Sequence, residues 1–377
     1  MEDKNQEFIN VEIDKEKQSK KHQKYLNELN VDAKHTMRER IAVGLILTAI
    51  VVPCFILGNY VFAVLILVAA LISCHEIINT PQSMEKRFNR ILYFFAYLMM
   101  VLMIFYIVFK NNMIDLSNLI KEGNQSSFYF DLTRQFTGIQ FSLPWFFLCI
   151  SFFLLVVLFD KKFTIADAFY FTMMLTIVAT GFQSVLYIRY APFTYSGLIP
   201  ENAGVAWTYA TAPTYFKFGH STLPLFYFLI GVCFNDIYAY FVGVFFGKHK
   251  MSPRISPKKS WEGFIGGVVL SFITSFGFAC ILESTGFPIL VGVLDLAHWY
   301  NLVILSAIMP IISVFGDLIV SAIKRYYGIK DFGKVLRAHG GILDRLDSTL
   351  TTGIAFAFLV SLMANNWMVF SALWENY

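Results

Sequence analysis

Long apolar runs recur along this chain, and each is close to the roughly 20 residues that a helix needs to cross a bilayer. Nine such runs are present, at 41–58, 60–78, 91–109, 142–159, 166–188, 222–247, 261–282, 301–322 and 349–374. Only 15% of the 377 residues are charged, against about 25% in a typical soluble domain. The sequence therefore excludes a soluble globular fold and predicts an all-α fold, a polytopic transmembrane helix bundle of about nine spans.

Lysine and arginine are distributed unevenly between the segments that join these runs. If the N-terminus is cytoplasmic, the inner segments hold 25 of the 30 basic residues and the outer segments hold five. Cytoplasmic segments of membrane proteins are enriched in Lys and Arg, so we expect a cytoplasmic N-terminus. The predicted organisation is a polar cytosolic leader at 1–40, N-terminal helices with external loops at 41–220, and a catalytic region with two cytoplasmic loops at 221–377.

The inner segment 248–260 carries five basic residues and no acidic one. The simplest role for such a loop is attraction to anionic lipid head groups. Ser256 and Pro257 also resemble a helix N-cap followed by the first helical residue. Free backbone amides at that helix start, beside Lys258 and Lys259, would form a phosphate-binding site.

Asp236 and Asp317 are carboxylates inside predicted spans. An ionisable residue at that depth is costly, so it faces either a basic partner or a water-filled cavity. Asp317 is followed by Ser321 and Lys324 at spacings of four and three, which places the three residues on one helical face. Both readings, a buried ion pair and a functional site, remain open at these two positions.

The second inner segment contains Lys330 and then the runs His339-Gly340-Gly341 and Asp344-Arg345-Leu346-Asp347. Asp344 and Asp347 would point to one side of a helix, and two such carboxylates repel unless a cation or proton lies between them. Oxygen ligands without Cys or paired His suit Mg²⁺, which proteins often share with substrate phosphates. The two glycines would let the backbone approach a ligand closely, and His339 is either a proton or hydrogen-bond donor or a structural loop residue.

Carboxylates for a metal, lysines for phosphate and a cavity within the membrane together point to phosphoryl or nucleotidyl transfer. That chemistry needs positioning and charge neutralisation rather than a covalent nucleophile. An anion transporter would use similar basic loops, but it would spread polar residues towards both faces, whereas here they concentrate in the inner half. Another membrane enzyme of lipid head-group transfer stays as an alternative, whereas a catalytically idle relative would be expected to lose an aspartate, and all are present.

The run from Ser321 to Asp347 resembles the signature of the phosphatidate cytidylyltransferase (CDP-diacylglycerol synthase) family. The residues that carry this likeness are Ser321, Lys324-Arg325, Lys330-Asp331, His339-Gly340-Gly341, Asp344-Arg345 and Asp347. A weaker likeness includes Asp236, the run Ile255–Gly263, Arg38-Glu39-Arg40 and His75-Glu76. The family commonly has Pro-Gly before the histidine, where this chain has Arg337-Ala338.

The resemblance implies an enzyme that joins CTP to phosphatidate and releases pyrophosphate. It implies that Asp317, Asp344 and Asp347 bind Mg²⁺, with a second cation such as K⁺ as an option, and act in catalysis together with Lys324 and His339. The other candidate residues would bind the substrates: Ser256, Lys258, Lys259, Ser321, Arg325, Lys330, Gly340, Gly341, Arg345 and Asp236.

The expected partners are CTP, phosphatidate and membrane lipid, without nucleic acid, and a homodimer is an open option. We expect the plasma (inner) membrane of a bacterium, with the endoplasmic reticulum membrane as the alternative. A CDP-alcohol phosphotransferase is disfavoured because the Asp-Gly-x-x-Ala-Arg start of that family is absent from the chain.

Overall fold

The structure, a computed structural model, describes residues 42–56, 59–81, 88, 90–110, 139–189, 222–286, 289–290, 293–333, 335–336 and 340–364. Within them the chain forms nine long helices and one small hairpin. The helices are α1 (Ala42–Ile56), α2 (Asn59–Asn79), α3 (Arg90–Lys110), α4 (Ile139–Phe159), α5 (Ile165–Arg189), α6 (Leu223–Phe246), α7 (Trp261–Ser284), α8 (Trp299–Tyr326) and α9 (Leu343–Ala364). The strands are β1 (Lys250–Ser252) and β2 (Ser256–Ser260), between α6 and α7.

Each predicted apolar run, over its described residues, lies on or overlaps one of these helices. Six of the helices in the described ranges are long and apolar enough to cross a membrane, namely α2 and α5 to α9. The described apolar parts of α1, α3 and α4 are shorter. The prediction of an all-α, multi-pass membrane protein is confirmed at this level, and the count of nine spans stays a prediction.

The last helix begins six residues before the predicted run at 349–374, because α9 starts at Leu343. Its first five residues include Asp344, Arg345 and Asp347. Charged residues lower the mean hydropathy, so a search for apolar runs leaves this start of the helix out. The carboxylates that the sequence placed at the mouth of this span are therefore inside the helix.

Helix α5 is the centre of the N-terminal half, since it packs against α2, α3 and α4 and also against α9. Aromatic rings fill this part of the core: Phe153 stacks on Phe171 with ring centroids 5.4 Å apart, and the Phe88 ring meets the Phe163 ring at 5.2 Å. In the C-terminal half, α8 packs against α6, α7 and α9. Helices α5 and α9 thus join the two halves of the bundle.

Small residues let α6 and α7 pack very closely. A Cβ atom on Gly263 would lie 2.7 Å from the Ala239 carbonyl oxygen, and one on Gly266 would lie 2.6 Å from Val242. The Ser271 hydroxyl donates to the Gly231 carbonyl at 2.7 Å and adds a polar link between the same helices. Glycine and serine are typical of helix contacts inside membranes.

The segments predicted to share the inner side do meet at one end of the bundle. The Tyr170 hydroxyl near the start of α5 donates to the Ile77 carbonyl near the end of α2 at 3.2 Å. At the same end, the Arg325 guanidinium at the end of α8 donates to the Ile255 carbonyl of the hairpin at 3.3 Å. Among the described residues, this end therefore includes the hairpin and the segment after α8, two of the segments predicted to lie on the inner side.

The predicted helix start at Ser256 and Pro257 is wrong. Both residues lie in β2, which pairs antiparallel with β1 through Ser252–Ser256 and Lys250–Ser260. Helix α7 begins at Trp261 instead, because the Ser260 hydroxyl accepts the Gly263 amide at 3.2 Å and acts as the N-cap. Consequently the lysines of β2 do not stand beside free helix amides, and any phosphate site here must be built from their side chains.

Candidate active site

The first charged contact joins the hairpin to α8, and we call it the open pair. The Lys259 ammonium lies 2.8 Å from the Asp317 carboxylate, and it also donates to the Val314 carbonyl at 3.2 Å. The Ser321 hydroxyl donates to the second Asp317 oxygen at 3.1 Å, as the shared helical face predicted. The two side chains of the pair are 24% and 34% exposed, so a ligand can reach them.

A cavity of about 460 Å³ opens beside the open pair, and we call it the polar cavity. Helices α6, α7 and α8 and the hairpin form its walls. Its charged lining residues are Asp236, Lys250, Lys258, Lys259 and Asp317. Three ammonium groups facing two carboxylates form a site that suits a phosphorylated ligand, because lysines bind phosphate as point charges.

The second charged contact lies between α8 and α9, and we call it the buried triad. The Lys324 ammonium is 3.0 Å from an Asp344 oxygen and 3.5 Å from an Asp347 oxygen. The three side chains are 8%, 3% and 8% exposed, respectively, and the ammonium also lies 5.5 Å from the centre of the Phe332 ring. In this arrangement the cation between the two carboxylates is a lysine of the protein.

The start of α9 is held by hydrogen bonds to carboxylates. The second oxygen of Asp344 accepts the backbone amides of Phe332 at 2.8 Å and Gly341 at 2.9 Å. Gly340 has a φ of +84°, a left-handed conformation that glycine adopts without strain. This conformation accounts for a glycine at position 340, while the predicted approach of a ligand to it stays a prediction.

The close approach at Gly341 is made by the protein itself. A Cβ atom on Gly341 would lie 2.5 Å from the Glu76 carboxylate, which accepts the Ile342 and Leu343 amides at 2.9 and 2.8 Å. The sequence predicts a ligand near this glycine, and that role stays a prediction beside the observed Glu76 contact. Sequence reasoning noticed Glu76 only through the family likeness, since its partners are 266 and 267 residues away.

A second opening of about 310 Å³ lies between α5, α8 and α9, and we call it the apolar groove. Its lining is almost entirely aliphatic and aromatic, and the only ionisable residue in it is Asp347 of the buried triad. Helix α8 contributes Ile319 and Ile323 to the groove, but Val314 and Asp317 to the polar cavity. The two openings thus lie on different faces of one helix.

The other residues predicted to bind the substrates differ in their surroundings. Arg325 uses its guanidinium to hold the carbonyls of Ile255 and Ile329, at 3.3 and 3.0 Å. Lys330 and Arg345 are exposed at the same end of the bundle. Arg325 therefore already has a structural task, which is to tie the hairpin turn to the loop that follows α8.

Three features singled out in the sequence lie at positions outside the described ranges. His339 lies outside the described residues, as do Arg337-Ala338 and the run Arg38–Arg40. The catalytic role of the histidine stays a prediction.

The carboxylates of the open pair and the buried triad are suitable ligands for Mg²⁺, but in the described residues they do not already form a complete coordination site. Within the described ranges, no group of three or more His, Cys, Asp or Glu side chains is arranged to hold a metal ion. The carboxylates of Asp344 and Asp347 nevertheless lie 3.0 and 3.5 Å from one ammonium group, that of Lys324. Mg²⁺ is usually bound by one or two carboxylates plus substrate phosphates, so these residues fit an ion that arrives with its substrate.

Together, the fold and the site define a polytopic α-helical membrane protein with a charged site at one end of the bundle, suited to a phosphorylated ligand. The sequence profile of the cytidylyltransferase family matches residues 38–363. The chain belongs to this family.

Individual relatives align over less than half of this chain. Proteins named phosphatidate cytidylyltransferase include one from Haemophilus influenzae, 40% identical over 164 residues (44% of this chain and 54% of that protein). One from Mycobacterium tuberculosis is 40% identical over 139 residues (37% and 39%), and one from Bacillus subtilis is 36% identical over 140 residues (37% and 48%). The chain thus spans about half the length of the relatives it matches.

Proposed function

We propose that this protein transfers a cytidylyl group from CTP to phosphatidate, giving CDP-diacylglycerol and pyrophosphate. The polar cavity carries the proposal, because it brings Lys250, Lys258 and Lys259 to the Asp317 carboxylate at one end of a membrane-spanning bundle. The family membership and the names of the relatives support the same reaction. A triphosphate and a lipid phosphate are both anions that such a site would attract.

The nucleotide would bind in the polar cavity. The flexible ammonium groups on the hairpin would contact the triphosphate, and Lys259 would exchange part of its contact with Asp317 for a phosphate oxygen. The Tyr240 and Phe264 rings also line this cavity, and aromatic faces stack with nucleobases. The base would therefore lie towards α6 and α7, with the phosphates towards the hairpin.

The lipid would place an acyl chain in the apolar groove. Burying each methylene there contributes about 0.8 kcal/mol, and the groove is lined by residues such as Met173, Ile177 and Phe358. Asp347 and Thr351 mark its polar side. The phosphate head group would then stand near the buried triad, between the groove and the polar cavity.

In the reaction, an oxygen of the phosphatidate phosphate attacks the α-phosphorus of CTP, the new P–O bond forms, and the bond to the departing pyrophosphate breaks. Such transfers depend on alignment and charge neutralisation. Lysines of the polar cavity would neutralise the departing pyrophosphate, and Asp317, Asp344 and Asp347 would hold Mg²⁺. When bound, this ion would supply charge neutralisation at the attacking and leaving oxygens; a second cation such as K⁺ is part of the same proposal.

We further infer that all nine helices cross the membrane, with the N-terminus and the charged end of the bundle in the cytoplasm. CTP would then arrive from the cytosol and phosphatidate from the surrounding leaflet. The bacterial relatives favour the plasma membrane of a bacterium. A homodimer remains compatible with this arrangement, and nucleic acid has no part in it.

The test is product formation from labelled CTP and phosphatidate by detergent-purified protein, with Mg²⁺ and with a chelator. We expect metal-dependent CDP-diacylglycerol from the wild type, and a loss of at least about 100-fold in Asp317→Asn. Glu283→Gln also converts a carboxylate into an amide, but at the C-terminal end of α7, away from the polar cavity. There the Glu283 side chain accepts the Leu296 amide, and this variant should keep full activity. No product from folded wild type with several lipids and divalent ions would refute the proposal.

A further inference from the structure

Glu76 is a buried carboxylate without a basic partner in the described part of the chain. It lies near the end of α2, and the residue is 2% exposed. One of its oxygens accepts the Ile342 amide at 2.9 Å, and the other accepts the Leu343 amide at 2.8 Å. A buried anion is costly unless it is paired or hydrogen-bonded, so these two amides take the place of a cation.

The two amides belong to the start of α9. The first amides of a helix have no partner within the helix, and the helix dipole favours a negative charge at that end. The Gly341 amide is taken by Asp344, and the next two are taken by Glu76. Three consecutive donors are thus satisfied by two carboxylates, one from α9 itself and one from α2.

Two glycines from separate parts of the chain make room for Glu76. A Cβ atom on Gly333 or on Gly341 would lie 2.5 Å from one of its carboxylate oxygens. Any larger side chain at either position would push the carboxylate away from α9. The surrounding backbone therefore specifies both the place and the direction of this side chain.

We propose that Glu76 is a positioning residue for cytidylyl transfer: by holding the first turn of α9, it sets the direction in which Asp344 and Asp347 face Lys324 and the substrates. This inference rests on the proposed function. Asp344 and Asp347 follow the capped amides of Ile342 and Leu343 by at most five residues, so a small rotation or fraying of the first turn moves both carboxylates. Glu76 itself lies on another helix and acts through them.

The experiment compares wild type, Glu76→Gln and Ile77→Val in the same assay. Glutamine keeps the size of the side chain, but its NH₂ group would face one helix amide donor to donor. Ile77 is the adjacent residue, fully buried in the core, so its valine variant weakens the packing of α2 without touching α9. We expect kcat of Glu76→Gln to fall at least about tenfold, with the KM values for CTP and phosphatidate within about twofold of wild type, and Ile77→Val to keep its kcat.

Thermal unfolding separates positioning from general destabilisation. A fall in kcat at a melting temperature equal to that of Ile77→Val supports the proposal, and equal kcat values for the two variants overturn it. Glu76→Asp provides a second reading if the glutamine variant does not fold. It keeps the charge but is one methylene too short to reach both amides, so its kcat should lie between those of wild type and Glu76→Gln; a wild-type kcat overturns the proposal.

Amide hydrogen exchange distinguishes the failure of this inference from failure of the proposed function. Faster exchange at residues 341–343 in Glu76→Gln than in Ile77→Val is expected whether or not the protein makes CDP-diacylglycerol. Unchanged exchange at residues 341–343 would overturn the proposal that Glu76 holds the start of α9. An inactive wild type with the expected exchange pattern would instead overturn the proposed reaction.

Discussion

The open pair and the buried triad use the same two residue types, yet they differ in what surrounds them. Lys259 and Asp317 are 24% and 34% exposed and border the polar cavity. In the buried triad no side chain is more than 8% exposed, and only Asp347 reaches an opening, the apolar groove. The same chemistry therefore has a different energetic role on each side of α8.

Exposure decides how readily each contact can be exchanged. An ion pair that water can reach is worth about 0.2–1 kcal/mol, so a phosphate group can replace one partner at little cost. Breaking a buried pair by removing one partner costs about 3–5 kcal/mol. The open pair is thus the contact that a ligand can exchange, whereas the buried triad holds α8 and α9 in register and, in the proposed reaction, presents Asp344 and Asp347 to Mg²⁺.

The largest effect should follow from removing the lysine of the buried triad. Lys324→Met leaves Asp344 and Asp347 buried without their cation, and we expect it to lower the free energy of unfolding by about 3–5 kcal/mol. Thermal unfolding in detergent measures this loss. Lys330→Met, an exposed lysine in the loop after α8, is the matched control and should unfold like the wild type. If the two variants melted together, the distinction between the open pair and the buried triad would be lost.

A smaller effect, confined to activity, should follow from removing the lysine of the open pair. Lys259→Met should change the free energy of unfolding by no more than about 1 kcal/mol but lower kcat/KM for CTP about 100-fold, a loss of about 2.7 kcal/mol in transition-state stabilisation. Steady-state kinetics and thermal unfolding on one preparation give both numbers. Lys248→Met removes an exposed charge that is outside the polar cavity, and its kcat/KM should stay near wild type. A stability loss as large as that of Lys324→Met would contradict the comparison.

The smallest effect should come from narrowing the apolar groove beside Asp347. Ala355→Phe would displace about two methylenes of an acyl chain, or about 1.6 kcal/mol, so KM for long-chain phosphatidate should rise about tenfold. Short-chain phosphatidate should be used as well as by the wild type. Val269→Phe, which introduces the same side chain at an exposed position on α7, is the control. Equal effects on long and short chains would show that the groove does not hold the lipid.

Much of the fold could be predicted because its signals are local. The apolar runs locate the nine helices, and the spacing of Asp317 and Ser321 predicts the hydrogen bond between them. The start of α9 is missed because the charged residues around Asp344 lower the local hydropathy below that of an apolar run. The hairpin was missed because Ser256-Pro257 and Ser260 offer two competing helix starts, and the pairing of β2 with β1 decides between them.

The candidate site was predictable as a set of residues but less so as a set of contacts. The sequence singles out Lys259, Lys324 and three aspartates, and in the structure these residues form the ion contacts of the open pair and the buried triad. It did not show that Arg325 holds two backbone carbonyls. Such contacts depend on loop conformations that no periodicity describes.

The sequence by itself determined that this is a polytopic helical membrane protein whose charged motif residues concentrate towards one end, because hydropathy, charge distribution and motif spacing are properties of neighbouring residues. Only the tertiary structure decided which lysine contacts which carboxylate, and that the Glu76 carboxylate of α2 accepts the amides at the start of α9. Those contacts join residues that are 20 to 267 positions apart. Their strength depends on burial, which arises only when the helices have packed.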